Sequence, residues 1–198
     1  GTLNGSNGTV TCNGLFRITS GTATPCSNAD NAFTCNSSGK FENRGGTCNF
    51  SGRFYNNGGT ANFIGGTTNV CTQGLSSSTN ASFEHTTSSL LNISGDALIA
   101  FQKANSSTGG DIKIIGGGTK SITGGTFQIG NSSTPSGQIF NINSAIHIND
   151  LSVHSGNSCT VRVSGNPLIS EGDINISTGC TFDLSTSNLD VYLKGDWI

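Results

Sequence analysis

Short runs in which apolar and polar residues alternate fill the second half of the chain: Ile112 with Ile114, Phe127 with Ile129, Phe140 with Ile142, Ile146 with Ile148, Leu151 with Val153, Val161 with Val163, Ile174 with Ile176, Phe182 with Leu184, and Leu189, Val191 and Leu193. A period of two sends successive side chains to opposite sides of an extended backbone, so each run predicts a strand burying two or three side chains on one face. Gly and β-branched residues interrupt nearly every window that would otherwise hold a helical period, and almost no helix is expected.

The runs are related to one another. Asp150-Leu151-Ser152-Val153 matches Asp173-Ile174-Asn175-Ile176 at an offset of 23, and Cys159-Thr160-Val161 matches Cys180-Thr181-Phe182 at an offset of 21. A rung of about 22 residues suits a three-sided parallel β-helix, in which successive turns bury a continuous apolar column. In the first half, three blocks between Ala32 and Gly66 align at a shift of 13. Thr34-Cys35-Asn36 becomes Thr47-Cys48-Asn49 and then Thr60-Ala61-Asn62, and Ser38-Gly39-Lys40-Phe41 becomes Ser51-Gly52-Arg53-Phe54. That period reads as stacked units or as a strand meander, and stacked units would set Cys35 over Cys48 within reach of a disulfide. The pairs Gly45-Gly46 and Gly58-Gly59 recur at the same phase, as expected of corners that need a positive φ. The fold class expected is therefore all-β, an elongated parallel β-helix or β-solenoid-like stack of short strands. It divides into a Cys-rich repeat region over 1–71, a Ser/Thr/Asn-rich loop or weak boundary over 72–89 that includes Ser76-Ser77-Ser78, and a solenoid region over 90–198.

Composition narrows the function. Only 10 % of the residues are charged, the net charge is -2, and nine Lys plus Arg cannot make the basic stripe that phosphate neutralisation requires, so no nucleic-acid partner is expected. In a stack, equivalent residues of neighbouring rungs lie about 4.8 Å apart, where like charges repel while Thr, Ser and Asn hydrogen-bond. No run approaches the length of a membrane helix, and no membrane insertion is expected. The seven cysteines, Cys12, Cys26, Cys35, Cys48, Cys71, Cys159 and Cys180, form no C-x-x-C pair and keep no zinc-ligand spacing to histidine. They read as disulfide candidates of an oxidising compartment, with one left over, and neither a metal nor another cofactor is implied.

Ile122-Thr123-Gly124-Gly125-Thr126-Phe127, Gly137-Gln138-Ile139-Phe140-Asn141-Ile142-Asn143-Ser144 and the closing Val191-Tyr192-Leu193-Lys194-Gly195-Asp196-Trp197 carry a family likeness. From Gly116 to its end the chain resembles the repeat-rich extracellular proteins of Bacteroidetes, among them large adhesins and gliding-associated surface proteins exported by type IX secretion. In that family the Gly-Asp-Trp element is followed by Asn-Asn-Gly and another strand, so the chain reads as an excerpt of a longer protein. The resemblance implies a β-solenoid, export and surface display, and it supplies no catalytic residue.

Catalytic alternatives have few candidates. A polysaccharide-cleaving β-helix needs two or three clustered carboxylates. Asp150, Asp173, Asp183 and Asp190 are the residues available, yet Asp150 and Asp173 open strands at matching positions where a carboxylate accepts backbone N–H bonds. His147 and His154 alternate with inward residues and so point outward. Gly116-Gly117-Gly118-Thr119-Lys120 lacks the following helix of a phosphate cradle and reads as a corner. Phe41, Phe50, Phe54, Phe63, Phe127, Phe140 and Phe182 are expected in the core, with Tyr55, Tyr192 and Trp197 as exposed contacts. Regularly spaced hydroxyls on a rigid sheet suit ice or a glycan, but no Thr-x-Thr column is visible along the sequence, which weighs against ice. The expectation is a non-enzymatic structural or adhesive segment, extracellular or on the cell surface. Its partners would be neighbouring segments, further copies or surface glycans. A filament subunit is the first alternative, and a carbohydrate-active or glycan-binding β-helix the second.

Overall fold

A computed structural model describes residues 1–5, 8–27, 33–75, 79–105, 110–154 and 158–198. Ser76, Ser77 and Ser78 lie outside the described residues. The described chain forms no helix; its strands are short and pair in parallel, each with the strand one turn earlier and one turn later. This is a right-angled departure from a meander, in which neighbours in sequence would pair antiparallel, and it gives a three-faced β-solenoid.

Face 1 stacks Thr2–Asn4, Thr22–Cys26, the later half of Lys40–Phe50, the later half of Thr60–Val70, Leu98–Phe101, Thr126–Ile129, Asp150–Val153 and Ile174–Ile176. Face 2 stacks Val10–Cys12, Phe33–Asn36, Phe54–Asn57, Phe83–His85, Ile112–Ile114, Ile139–Ser144, Thr160–Val163 and Thr181–Asp183. Face 3 begins with Leu15–Ile18 and the early halves of the two eleven-residue strands, continues through Leu90–Ile93 and Lys120–Ile122, and ends with Leu168–Ser170 paired to Val191–Leu193. Lys40–Phe50 and Thr60–Val70 run through the corner between faces 3 and 1 and belong to both. Phe83–His85 falls within the polar stretch 72–89, and it pairs in register with Phe54–Asn57 before it and Ile112–Ile114 after it.

In the last rungs the register agrees with the sequence offsets: Leu151 pairs with Ile174, and Thr160 with Thr181. In the first half it does not follow the 13-residue shift. Thr47 pairs with Thr67, Phe41 with Ala61 and Thr34 with Tyr55. A rung there is 20 or 21 residues, and 13 is close to two of its three sides. The blocks look alike because all three sides obey the same inward–outward alternation, so a shift by two sides reproduces the pattern without stacking the residues. Cys35 consequently stands on face 2 between Cys12 and Asn56, while Cys48 stands on face 1 between Ala23 and Thr68, and the Cys35–Cys48 staple is ruled out by register.

The glycine pairs depart from the expected positive-φ corners. Of Gly45, Gly46, Gly58 and Gly59, only Gly58 has a positive φ, 81°. Gly46 and Gly59 are required for close approach instead: a Cβ on Gly46 would lie 2.3 Å from Cγ2 of Ile18, and one on Gly59 would lie 2.4 Å from the Asn36 carbonyl oxygen.

Inside the stack, Phe33, Phe54 and Phe83 follow one another in register on face 2, with Phe41, Phe50 and Phe63 entering from the other two faces. Their rings meet at centroid distances of 5.2–5.7 Å, both stacked and edge-on. Such pairs add about 0.5–1.5 kcal/mol each beyond area burial. Phe101, Phe127 and Phe140 continue the core, and Ile, Leu and Val replace phenylalanine toward Ile174. Phe182, expected in the core, is only partly buried.

Candidate functional site

The outward positions of face 1 form two columns. One reads Thr2, Thr22, Thr47, Thr67, Leu98, Thr126, Asp150, and the other Asn4, Thr24, Asn49, Asn69, Ala100, Gln128, Ser152. The columns knit along the stack: Asn69 Nδ2 donates to Asn49 Oδ1 at 2.8 Å, and Asn49 Nδ2 to Thr24 Oγ1 at 3.4 Å. From Thr2 to Gln128 no described outward position of this face is charged or aromatic. The first column carries Thr at five of its seven positions, while on this face Thr-x-Thr occurs only at Thr22 and Thr24, so a single Thr column exists where no Thr-x-Thr column is visible in the sequence. It was hidden because its members are separated by rungs of unequal length, from Thr47 to Thr67 but also from Thr67 to Leu98.

The corners differ in a way that matters for access to this face. Between faces 1 and 2 the chain makes its longest excursions, from Val70 to Phe83, Phe101 to Ile112 and Ile129 to Ile139. Between faces 3 and 1 the turns are tight, as from Ile18 to Thr22 and Ile122 to Thr126. The long loops border an open cleft of about 500 Å³ that includes Leu75, Asn105, Gln138, Ile139, Asn141 and Arg162. Asp111, just before Ile112–Ile114, is fully buried, and its carboxylate oxygens accept the backbone N–H groups of Asn105 and, at 2.7 Å, Asn141. Burial raises its pKa to about 7 against the opposing pull of those N–H bonds.

Charged residues of the other two faces are paired, both along a strand and across rungs. Glu42 on face 3 is fully buried beneath Arg17 at 2.5 Å, Lys40 at 2.7 Å and Arg44 at 3.2 Å. Burial pushes its carboxyl upward, but the hydrogen bonds from Lys40, Arg17, Arg44 and Asn62 outweigh this and bring it to about 2. On face 2, Glu84 binds Arg53 and, at 3.2 Å, Lys113; the Arg53 guanidinium also lies 3.8 Å above the Tyr55 ring. Tyr55 is thus half-buried under a cation rather than an open contact.

Each carboxylate weighed for catalysis has a structural partner. Asp150 Oδ1 accepts the Asp173 N–H at 3.0 Å, and Asp173 Oδ1 accepts the Asp196 N–H at 2.8 Å, one rung capping the turn of the next. Asp183 is held well below the usual carboxylate range by the Ser185 hydroxyl at 2.6 Å and by Arg162 at 2.8 Å. Asp190 accepts from the Tyr192 hydroxyl at 3.2 Å. The Nε2 of His147 lies 2.8 Å from the Ile122 carbonyl oxygen, and the Nδ1 of His154 lies 3.2 Å from the Ser177 hydroxyl. Lys120, at the Gly116–Gly118 corner, donates to the carbonyls of Thr86 and Ser89, both at 3.2 Å, and is a corner clamp. No group of three or more His, Cys, Asp or Glu with metal-binding geometry occurs among the described residues. Tyr192 and Trp197 are each 55 % exposed, and Trp197 also packs edge-on against Phe182 at 5.4 Å.

The structure forms no disulfide among the seven cysteines. Cys12 and Cys35 are register partners, and Cys159 and Cys180 occupy the same position of consecutive rungs, with sulfurs 3.7 Å apart. Burial pushes the Cys26 and Cys71 thiols up to about 11, and burial followed by the neighbouring Cys12 pushes Cys35 to about 12. Since the thiolate is the attacking species, these three are slow nucleophiles, whereas Cys180 is only half-buried. Exposure of the folded protein to oxidised glutathione is expected to yield a Cys159–Cys180 disulfide first. Non-reducing peptide mapping over time checks this, and a first cross-link at Cys48 or Cys71 would contradict it.

His85 and Asn56 form a buried polar pair that the sequence does not single out. His85, fully buried on face 2, has its Nδ1 3.2 Å from Asn56 Nδ2, which also donates to the Leu90 carbonyl at 3.0 Å. Two acceptors for one amide nitrogen fix the Asn56 orientation and leave the His85 proton on Nε2, which has no hydrogen-bond partner. Burial, followed by Lys120, lowers the His85 pKa to about 3. The Phe-x-His alternation places His85 inward, so the signal was present, but an inward His amid apolar neighbours is indistinguishable from an outward one until the register is known.

No family model, curated protein or solved structure matches the chain.

Proposed function

We propose that the chain is a non-catalytic structural and adhesive segment of a secreted or cell-surface bacterial protein, in which a stiff solenoid presents its outer faces. The observation that carries this reading is the commitment of outward polar side chains to rung-to-rung bonds: Asn49 with Asn69, Arg17 with Glu42, Arg162 with Asp183, and Asp150 with the next turn. Catalytic carboxylates need freedom to exchange protons with a substrate, whereas these stiffen the stack. Export and display rest on the likeness of the segment from Gly116 onward to repeat-rich surface proteins of Bacteroidetes.

A filament subunit is the second reading. In that reading strand edges of one copy pair with those of the next. Electron microscopy of the native material separates the two. Single rods within a longer polypeptide are the expected result, and ordered fibres of copies joined end to end would replace the first reading with the second.

A further inference from the structure

We propose that the outward side of face 1 adsorbs to ice, through the two columns that run from Thr2 and Asn4 to Thr126 and Gln128. This rests on the reading of the chain as a non-catalytic presented surface and names what one of its faces meets.

Three features of the face point to ordered water. First, its groups lie on a lattice. Members of a column repeat at about 4.8 Å along the stack, and the two columns stand about 6.7 Å apart along each strand, spacings of the same size as the repeats of the ice crystal. Four successive rungs carry Thr or Asn at both positions: Thr2 and Asn4, Thr22 and Thr24, Thr47 and Asn49, Thr67 and Asn69. Threonine suits this task because its hydroxyl bonds a water while its adjacent methyl orders the neighbouring ones.

Second, the lattice is held rigidly. The Asn49–Asn69 and Asn49–Thr24 bonds fix the outward side chains, and Cys48, Thr68, Ile99 and Phe127 alternate with them into the packed interior. The tight corner between faces 3 and 1 leaves that border of the face low. A flat, preorganised array loses little entropy on meeting a crystal.

Third, the face lacks what other partners use. With no charge from Thr2 to Gln128 it does not complement an ionic ligand, and with no aromatic ring there it offers sugar rings nothing to stack on. Six rungs span only about 24 Å by about 10 Å, roughly 240 Å², well under the ~800 Å² per partner of a stable protein interface. Leu98 and Ala100 interrupt the polar columns without adding charge, and Ala100 is itself buried, so the four rungs from Thr2 to Asn69 form the continuous polar part of the face.

The test compares wild type with T47K/T67K on face 1 and with T34K on face 2, each fluorescently labelled and frozen into a slowly growing ice hemisphere. Thermal melts establish that all three are folded. Wild type and T34K should enter the ice and inhibit its recrystallisation, and T47K/T67K should lose at least tenfold in both readouts. Exclusion of folded wild type from the ice, or equal incorporation of T47K/T67K, overturns the inference. Exclusion accompanied by binding to crystalline chitin or cellulose, or by dimerisation lost in T47K/T67K, overturns it in favour of those occupants. None of these results bears on whether the chain is a non-catalytic surface segment, which the micrographs and the activity assay below decide separately.

Discussion

Phe54→Ala is expected to destabilise the first rungs by about 3–5 kcal/mol, because it empties a fully buried ring site and the neighbours relax only partly. Phe54 touches the rings of Phe33, Phe41, Phe50, Phe63 and Phe83 at 5.2–5.7 Å and that of His85 at 5.8 Å, so it joins the column of face 2 to side chains entering from both other faces. A solenoid is held by contacts between nearest rungs, and a defect in one rung is felt mainly by those beside it. The substitution should therefore split a single denaturation transition into two. In hydrogen exchange, amides of Phe33–Asn36, Phe54–Asn57 and Phe83–His85 should lose protection while those of Thr160–Val163 keep it. Uniform loss of protection along the whole stack would show that the rungs do not behave as a nearest-neighbour array.

The second large effect concerns pH and involves two buried groups of opposite sign. His85 has its pKa lowered from 6.5 to about 3 by burial, so as pH falls below 6.5 the unfolded chain takes up a proton that the folded chain refuses, and stability falls. Asp111 has its pKa raised from 3.8 to about 7, so the folded chain keeps a proton that the unfolded chain releases, and stability falls as pH rises from 3.8 through about 7. Between about pH 5 and about pH 7.5 each contributes a change of about 2 kcal/mol, and the two nearly cancel. Glu42, with its pKa near 2, adds its loss only at lower pH. Wild type should thus show a nearly flat urea midpoint across this window. H85L should become more stable toward the acid end, and D111N should become less stable there. A wild-type midpoint that moves strongly with pH while both variants are flat would contradict the assignment.

How far the sequence reveals this molecule differs along its length. From Leu151 to Phe182 the rungs are nearly equal, the same residues recur at 21 and 23, and both the strands and their register can be read directly. Before that, rung length changes with the loops between faces 1 and 2, and no single period survives; the one that does appear, 13, relates different sides of a rung. Alternation is a local property and was legible throughout, while stacking is a property of register and was not. This is why the phenylalanine core was recognised, while the Thr column of face 1, the inward His85 and the Cys12–Cys35 adjacency emerged only from the fold. The Asp150 and Asp173 turns were readable because a carboxylate opening a strand at two matching positions has a local reason to be there.

The most direct test of the proposal that this solenoid presents surfaces and does no chemistry is an activity assay. Neutral and acidic polysaccharides are incubated with the wild-type chain, D173N and D183N, and reducing ends and unsaturated products are measured. The account predicts no release above the buffer blank for any of the three; turnover by wild type that is lost in D173N or D183N would contradict it and make the chain a carbohydrate-active β-helix.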